Sequence, residues 1–191
     1  RDFSKMGPDD RLFVFFAGHG ETLAVKGGEE GFLLPVDADP ASLPSTSISM
    51  DDLKKIGRRV KAKHVLFVLD ACFSGFAASR DIKPRPVNDL YIASALKEPV
   101  VQVLTAGRKG ERAIEDGGQG LFTRRLITGL RGAADVEGQG LISVEQLAAW
   151  ISPKVVEDSA SKMHPQYSRL DGEGQFLFAL SSRPTATKIE L

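Results

Sequence analysis

The chain has 191 residues, 42% of them hydrophobic and 26% charged, a length and mix that describe one ordinary globular domain and not a disordered segment. Its 25 basic and 25 acidic residues cancel, so a nucleic-acid or anionic-membrane partner has no overall electrostatic support. The single cysteine excludes an internal disulfide, no Cys/His cluster has zinc-ligand spacing, and no apolar run approaches the roughly 20 residues of a membrane helix. No signal peptide is recognisable, and a cytoplasmic location is the expectation.

Residues 1–8 read as the end of an upstream helix and a linker, stopped at Gly7-Pro8. From Arg11 an apolar strand runs to Gly18-His19-Gly20, where the flanking glycines let the backbone turn sharply and leave the imidazole uncovered. Residues 21–30 are polar and contain Gly27-Gly28, which predicts a loop or hairpin; residues 31–35 are a short strand closed by Pro35. An Asp/Pro/Ser-rich loop follows over 36–46. Ser47 or Ser49 caps a helix over about 50–60, with Asp51 and Asp52 in its first turn and an apolar stripe of Met50, Leu53 and Ile56.

Val65-Leu-Phe-Val-Leu69 is continuously apolar, the pattern of a strand buried on both faces. Asp70, Cys72 and Gly75 fall on the turn beyond it, and in open parallel sheets that edge is where ligands bind. Residues 76–99 contain three prolines and read as an irregular connection with one helical turn near 90–96. Val100 to Leu104 is a third buried strand, 106–120 a Gly-rich charged loop, and 121–130 an amphipathic helix. Ser143 starts a further helix to about Val156, residues 175–180 form the last strand, and 181–191 are a tail. There is no internal repeat.

A free cysteine is often only a small buried hydrophobe. Cys72 follows a strand directly, has Asp, Ser and Gly as neighbours, and shares a sheet edge with His19, which makes it a candidate nucleophile. The thiolate is the attacking form, and a nearby imidazole accepts or stabilises its proton. His64 leads into a strand and His164 precedes Pro165; both read as structural or exposed.

The pair Phe16-Ala-Gly-His-Gly20 and Asp70-Ala-Cys-Phe-Ser-Gly75 resembles the caspase-like cysteine peptidases, above all the bacterial, metacaspase and paracaspase branches. Those carry Gly-His-Gly and Asp-x-Cys-x-Ser-Gly at matching places. The histidine lies 53 positions (72 minus 19) before the cysteine, close to the ~50 of caspases. The vertebrate pattern Gln-Ala-Cys-x-Gly fits less well, because Asp70 replaces the glutamine. The resemblance runs over about 9–180. It implies an α/β caspase-like fold, a mostly parallel sheet with helices on both faces, whose N-terminal strands are absent here. The histidine strand would then carry an unpaired edge, to be covered by a missing N-terminal segment or another chain.

For function, the resemblance implies a cysteine endopeptidase acting through a His19/Cys72 dyad and an acyl-enzyme. The backbone N–H groups of Cys72 and Gly20 would be the oxyanion donors; the alternative for Gly20 is a plain turn residue. Asp70 would receive the Arg or Lys before the cleaved bond, and otherwise would cap nearby amides at the strand end. Glu115 falls where paracaspases carry a second pocket acid, with Glu111 and Asp116 as neighbours able to take that role, and otherwise is a solvated loop acid. Ala17 stands where metacaspases have serine. The segment after the cysteine strand often holds a maturation site in such enzymes. Within it Lys83 and Arg85 precede prolines and Lys97 abuts a strand, leaving Arg80 for self-cleavage.

Asp135-Val-Glu-Gly-Gln-Gly140 has the outline of a calcium loop, but position twelve is Gln146 and not the bidentate glutamate. A vestigial turn is the favoured reading, and no cofactor or metal is expected. Two rival functions stay open: a non-enzymatic caspase-like regulatory or scaffold module, and a different thiol hydrolase on a doubly wound sheet, which leaves Asp70 unexplained.

Overall fold

The computed structural model describes residues 5–72 and 88–180, with Cys72 described by its backbone. Arg80 and the tail at 181–191 lie outside the described residues. The chain begins with β1 (Arg11–Ala17), a hairpin of β2 (His19–Val25) and β3 (Gly28–Leu34), α1 (Leu43–Thr46), β4 (Ile48–Ser49), α2 (Met50–Arg59) and β5 (His64–Cys72). It continues through α3 (Asp89–Lys97), β6 (Val100–Gly107), β7 (Glu115–Asp116), β8 (Gln119–Gly120), α4 (Leu121–Thr128), β9 (Leu141–Ser143), α5 (Val144–Asp158), β10 (Gln166–Gly172) and β11 (Leu177–Ala179).

The main sheet has the order β1-β5-β6-β10. The first three strands are parallel, and β10 runs antiparallel to β6. Val65 to Leu69 on β5 are at most 1% exposed, because helices cover both faces. Met50 and Leu53 of α2 pack on Val65, Phe67 and Leu69. Leu126 of α4 with Leu147 and Ile151 of α5 pack on Leu66, Val68 and Leu104. Side chains alternate across a strand, so a strand covered on both sides must be apolar at every position. At the sheet edge β1 pairs with β5 alone among the described residues, and its Phe13 and Phe15 remain 40% and 42% exposed.

Local signals place the helices. Ser49 caps α2 by accepting the Asp52 amide while Asp52 accepts the Ser49 amide, so of the two serines it is Ser49 that forms the capping box. Gly57 lets α2 close on the sheet, since a Cβ there would lie 2.6 Å from a Val101 methyl. Ser143 and Gln146 form the same reciprocal cap on α5. Gln146 therefore works as a helix cap. Asp135 likewise accepts the amides of Gln139 and Gly140, so this loop closes on its own backbone. No group of three or more His, Cys, Asp or Glu able to hold a metal occurs among the described residues, and no helix among them is long and apolar enough to cross a membrane.

Several elements differ from expectation. β5 extends through Cys72, so Asp70 and Cys72 stand on the strand and not on a turn after it; the ladder with β6 shifts between Leu69 and Cys72. The helical turn near 90–96 is the nine-residue α3, capped by Asn88. The last strand shrinks to β11, which pairs with β9 outside the main sheet. Gln102, buried in β6, accounts for that: it accepts the Phe176 amide and donates to Gln175 and Tyr167, holding residues 175–176 over the sheet as a polar crossing. β10 has no apolar run to announce it, because it is an edge strand with a bulge between Arg169 and Asp171.

Candidate active site

The β1–β5 register pairs Phe16 with Leu69 and Ala17 with Asp70. Past that pair the Gly18 amide donates to the Asp70 carbonyl at 3.3 Å. Two residues further along either strand stand His19 and Cys72. The parallel pairing thus brings both to the C-terminal edge of the sheet, where open α/β sheets bind ligands. A Cβ on Gly18 would lie 2.8 Å from the tip of the Phe16 ring, so any other residue here would have to displace that ring. His19, the first residue of β2, is exposed there.

A cleft of about 880 Å³ opens at this edge. Phe15, Ala17, His19, Gly20, Asp70, Glu111, Glu115, Gly120 and Thr123 are among its lining residues. Of the residues singled out in the sequence, His19, Gly20, Asp70 and Glu115 come together here, with the Cys72 backbone two positions beyond Asp70. Asp116 instead pairs with Arg124 at 2.9 Å.

Asp70 is 7% exposed. The Thr123 hydroxyl donates to its Oδ2, and the Thr123 amide adds a second hydrogen bond. Thr123 is the third residue of α4, whose N-cap Gly120 has no side chain to accept the orphan amides of the first turn. Asp70 supplies that acceptor from the neighbouring strand. A Cβ on Gly120 would sit 2.6 Å from Oδ2, so glycine makes room for the carboxylate. The other oxygen, Oδ1, is buried and has no hydrogen-bond partner among the described residues. Burial pushes the Asp70 pKa up, Thr123 pulls it down, and the nearby Glu115 charge pushes it up; the net shift is above the ordinary aspartate value. The capping alternative therefore accounts for one oxygen only. A buried acceptor without a donor is costly, and a cationic donor is its natural complement.

Glu115 owes its place to a small hairpin: β7 and β8 pair Glu115 with Gly120 and Asp116 with Gln119. Gly117 and Gly118 turn the chain at φ 61 and 78, both left-handed as a two-residue type I′ turn requires. Glu111 also lines the cleft, but its carboxylate is engaged: it accepts the Arg108 and His164 amides at 2.8 Å each and meets His164 Nδ1 at 2.5 Å. Burial works to raise the Glu111 pKa and is outweighed by those hydrogen bonds, which hold the carboxyl below the usual glutamate value. Glu111 thus anchors the cleft loop to the 164 segment, and His164 has a structural partner.

Thr123 and Gly120 escaped the sequence reading. A signal existed: Gly120-Leu-Phe-Thr123 opens a helix with no Ser, Thr, Asp or Asn at the cap, which calls for an acceptor from elsewhere. Gly117-Gly118 between Asp116 and Gln119 was likewise a readable hairpin turn.

The sequence model of the caspase domain matches residues 1–177, and the chain belongs to that family. Among solved structures it is similar to protein GSU0716 from Geobacter sulfurreducens, with a TM-score of 0.51 and 14% identity over 95% of this chain and 70% of that one; the likeness is one of fold. No curated protein matches it.

Proposed function

We propose that the chain is a cysteine endopeptidase that cleaves after Lys or Arg. The observation that carries this reading is a cleft that gathers His19, Gly20 and Glu115 with a buried carboxylate, Asp70, whose Oδ1 has no donor among the described residues. A Lys or Arg side chain would reach Asp70 and bring the next carbonyl to the edge where Cys72 stands. The Cys72 thiolate would add to that carbonyl carbon, and the electron pair would move to oxygen, met by the N–H groups of Gly20 and Cys72. Collapse of this intermediate would break the C–N bond, with His19 giving its proton to the departing amine. Water, deprotonated by His19, would then attack the thioester, releasing the acid and regenerating the thiol. Arg80 is the proposed self-cleavage bond.

The test uses a peptidyl-lysine fluoromethylketone and a basic reporter peptide. Wild type should be labelled on Cys72 and cleave the reporter, while Cys72→Ala and His19→Ala should do neither and remain folded. A folded wild type that neither labels nor cleaves would favour a non-enzymatic caspase-like module; cleavage by Cys72→Ala would sink the nucleophile.

A further inference from the structure

We propose that Arg112 receives a carboxylate of the substrate, so that the cleft selects peptides with an acidic residue two or three positions from the basic one; this rests on the reading of the cleft as the site that takes a basic residue. The cations of the cleft loop and of α4 fall into two groups. Lys109 pairs with Glu29, Arg124 with Asp116 and Arg125 with Asp158. Arg108 and Arg112 have no ion pair or side-chain hydrogen bond among the described residues, and of these two it is Arg112, an exposed residue, that lines the cleft. The adjacent carboxylate cannot serve it, because Glu111 is taken up by two backbone amides and His164. Glu115, three positions on, lines the same cleft and has no cationic partner among the described residues. The cleft therefore offers a cation and an anion that are both uncompensated.

The backbone that carries Arg112 is held on both sides. Before it, Glu111 ties the loop to the 164 segment. After it, the Ile114 carbonyl accepts the Leu121 amide at 2.9 Å, and the Ile114 amide donates to Sδ of the buried Met163 at 3.4 Å. A side chain on a fixed backbone loses less freedom on binding than one on a mobile loop. Its guanidinium is a planar fork that matches a carboxylate with two parallel hydrogen bonds, and in a peptide that group comes from Asp or Glu.

Spacing sets where that residue stands. Three residues span at most about 11 Å of chain, which bounds the distance between the Arg112 and Glu115 backbones. An extended peptide advances about 3.3 Å per residue. When Glu115 meets the basic side chain of the substrate, the side chains two or three residues away come within reach of Arg112.

The experiment uses wild type, Arg112→Gln and Arg112→Glu as full chains. Internally quenched peptides, amidated so that the test side chain is the sole carboxylate, contain one Lys and carry Glu or Gln at each of the three positions before and after it. Cleavage is measured as kcat/KM, and binding as Kd in a Cys72→Ala background, where chemistry does not enter. In wild type, Glu should be favoured over Gln by about fivefold at a position two or three residues from Lys, the upper end for an exposed ion pair, and the preference should fade as salt rises. Arg112→Gln should abolish the preference and Arg112→Glu should invert it. The Glu-to-Gln ratio cancels any loss that falls on both peptides. Absence of a Glu preference in wild type, or a preference that survives Arg112→Glu, overturns the proposal. Peptides with norleucine in place of Lys separate the two levels. If they bind and are cleaved as well as the Lys peptides, the basic pocket fails and the spacing argued from it falls too. If Lys is required but Glu is not favoured, only the role of Arg112 fails.

Discussion

The two ends of β5 each bury an ionisable side chain, and they treat it in opposite ways. His64, at the N-terminal end, is 5% exposed, and its Nε2 faces the carbonyls of Ala95 and Glu98, each at 3.2 Å. Two acceptors require the proton on Nε2, and burial lowers the His64 pKa, so the ring is neutral and satisfied. Asp70, at the C-terminal end, is 7% exposed, one oxygen caps α4, and the other accepts nothing among the described residues. The first end ties α3 to the sheet. The second leaves a buried acceptor without a donor among the described residues, on a residue that lines the cleft, and that works against stability. Unmet polar atoms at strand ends thus mark where a fold departs from its own stability optimum, as binding sites commonly do.

The contrast is broken most directly at Asp70. Asp70→Asn keeps the size and an acceptor for Thr123 but removes the charge. Cleavage after Lys or Arg should fall by about two to nearly four decades, from about 3–5 kcal/mol for removing one partner of a buried pair. The melting temperature at neutral pH should not fall. The folded pKa is raised, so the native state keeps a proton that the unfolded chain has released. Stability from this group is then fully present below the ordinary value of 3.8 and lost as pH rises to the folded pKa. Asp70→Asn should flatten that slope. A large drop in melting temperature with activity retained would make Asp70 a structural cap like its counterpart.

Gly120→Ala tests the same end more gently. Its φ of −59 suits alanine, but the new methyl would press on Oδ2. Displacing the carboxylate by under an ångström should lower kcat/KM on basic peptides by about ten- to a hundredfold, with KM rising. Unchanged kinetics would mean that the placement of Asp70 is loose.

His64→Leu probes the other end, and its effect should appear in stability alone. Urea unfolding at pH 7 should lose about 1–3 kcal/mol for the abandoned carbonyls, with kcat/KM intact. Because the folded pKa is lowered, the stability it contributes is present above the ordinary 6.5 and lost as pH falls toward the folded value. The variant should lose that acid sensitivity. Diminished activity in a folded His64→Leu would couple the two ends.

Glu115→Gln should give the smallest change. Glu115 is exposed, and an exposed pair contributes about 0.2–1 kcal/mol, so a two- to fivefold loss on basic peptides is expected, fading as salt rises. A loss as large as that of Asp70→Asn would mean that Glu115 is buried when substrate binds.

Much of this could be read from residue order. The apolar runs at Arg11–Ala17, Val65–Leu69 and Val100–Leu104 announced three strands, and Ser47 or Ser49 and then Ser143 announced two helices. Two glycine-flanked motifs placed His19 and Cys72 at strand ends. Those features are written within a few residues, because hydrophobic period and helix caps act locally. Asp70 with Thr123, and Glu111 with His164, are each 53 residues apart. Their partnership depends on where α4 settles against β5 and where the cleft loop meets the segment before β10. No short stretch of chain contains that information: packing of the whole core sets it. The same packing leaves Oδ1 of Asp70 without a donor among the described residues, while the equally buried His64 finds two acceptors.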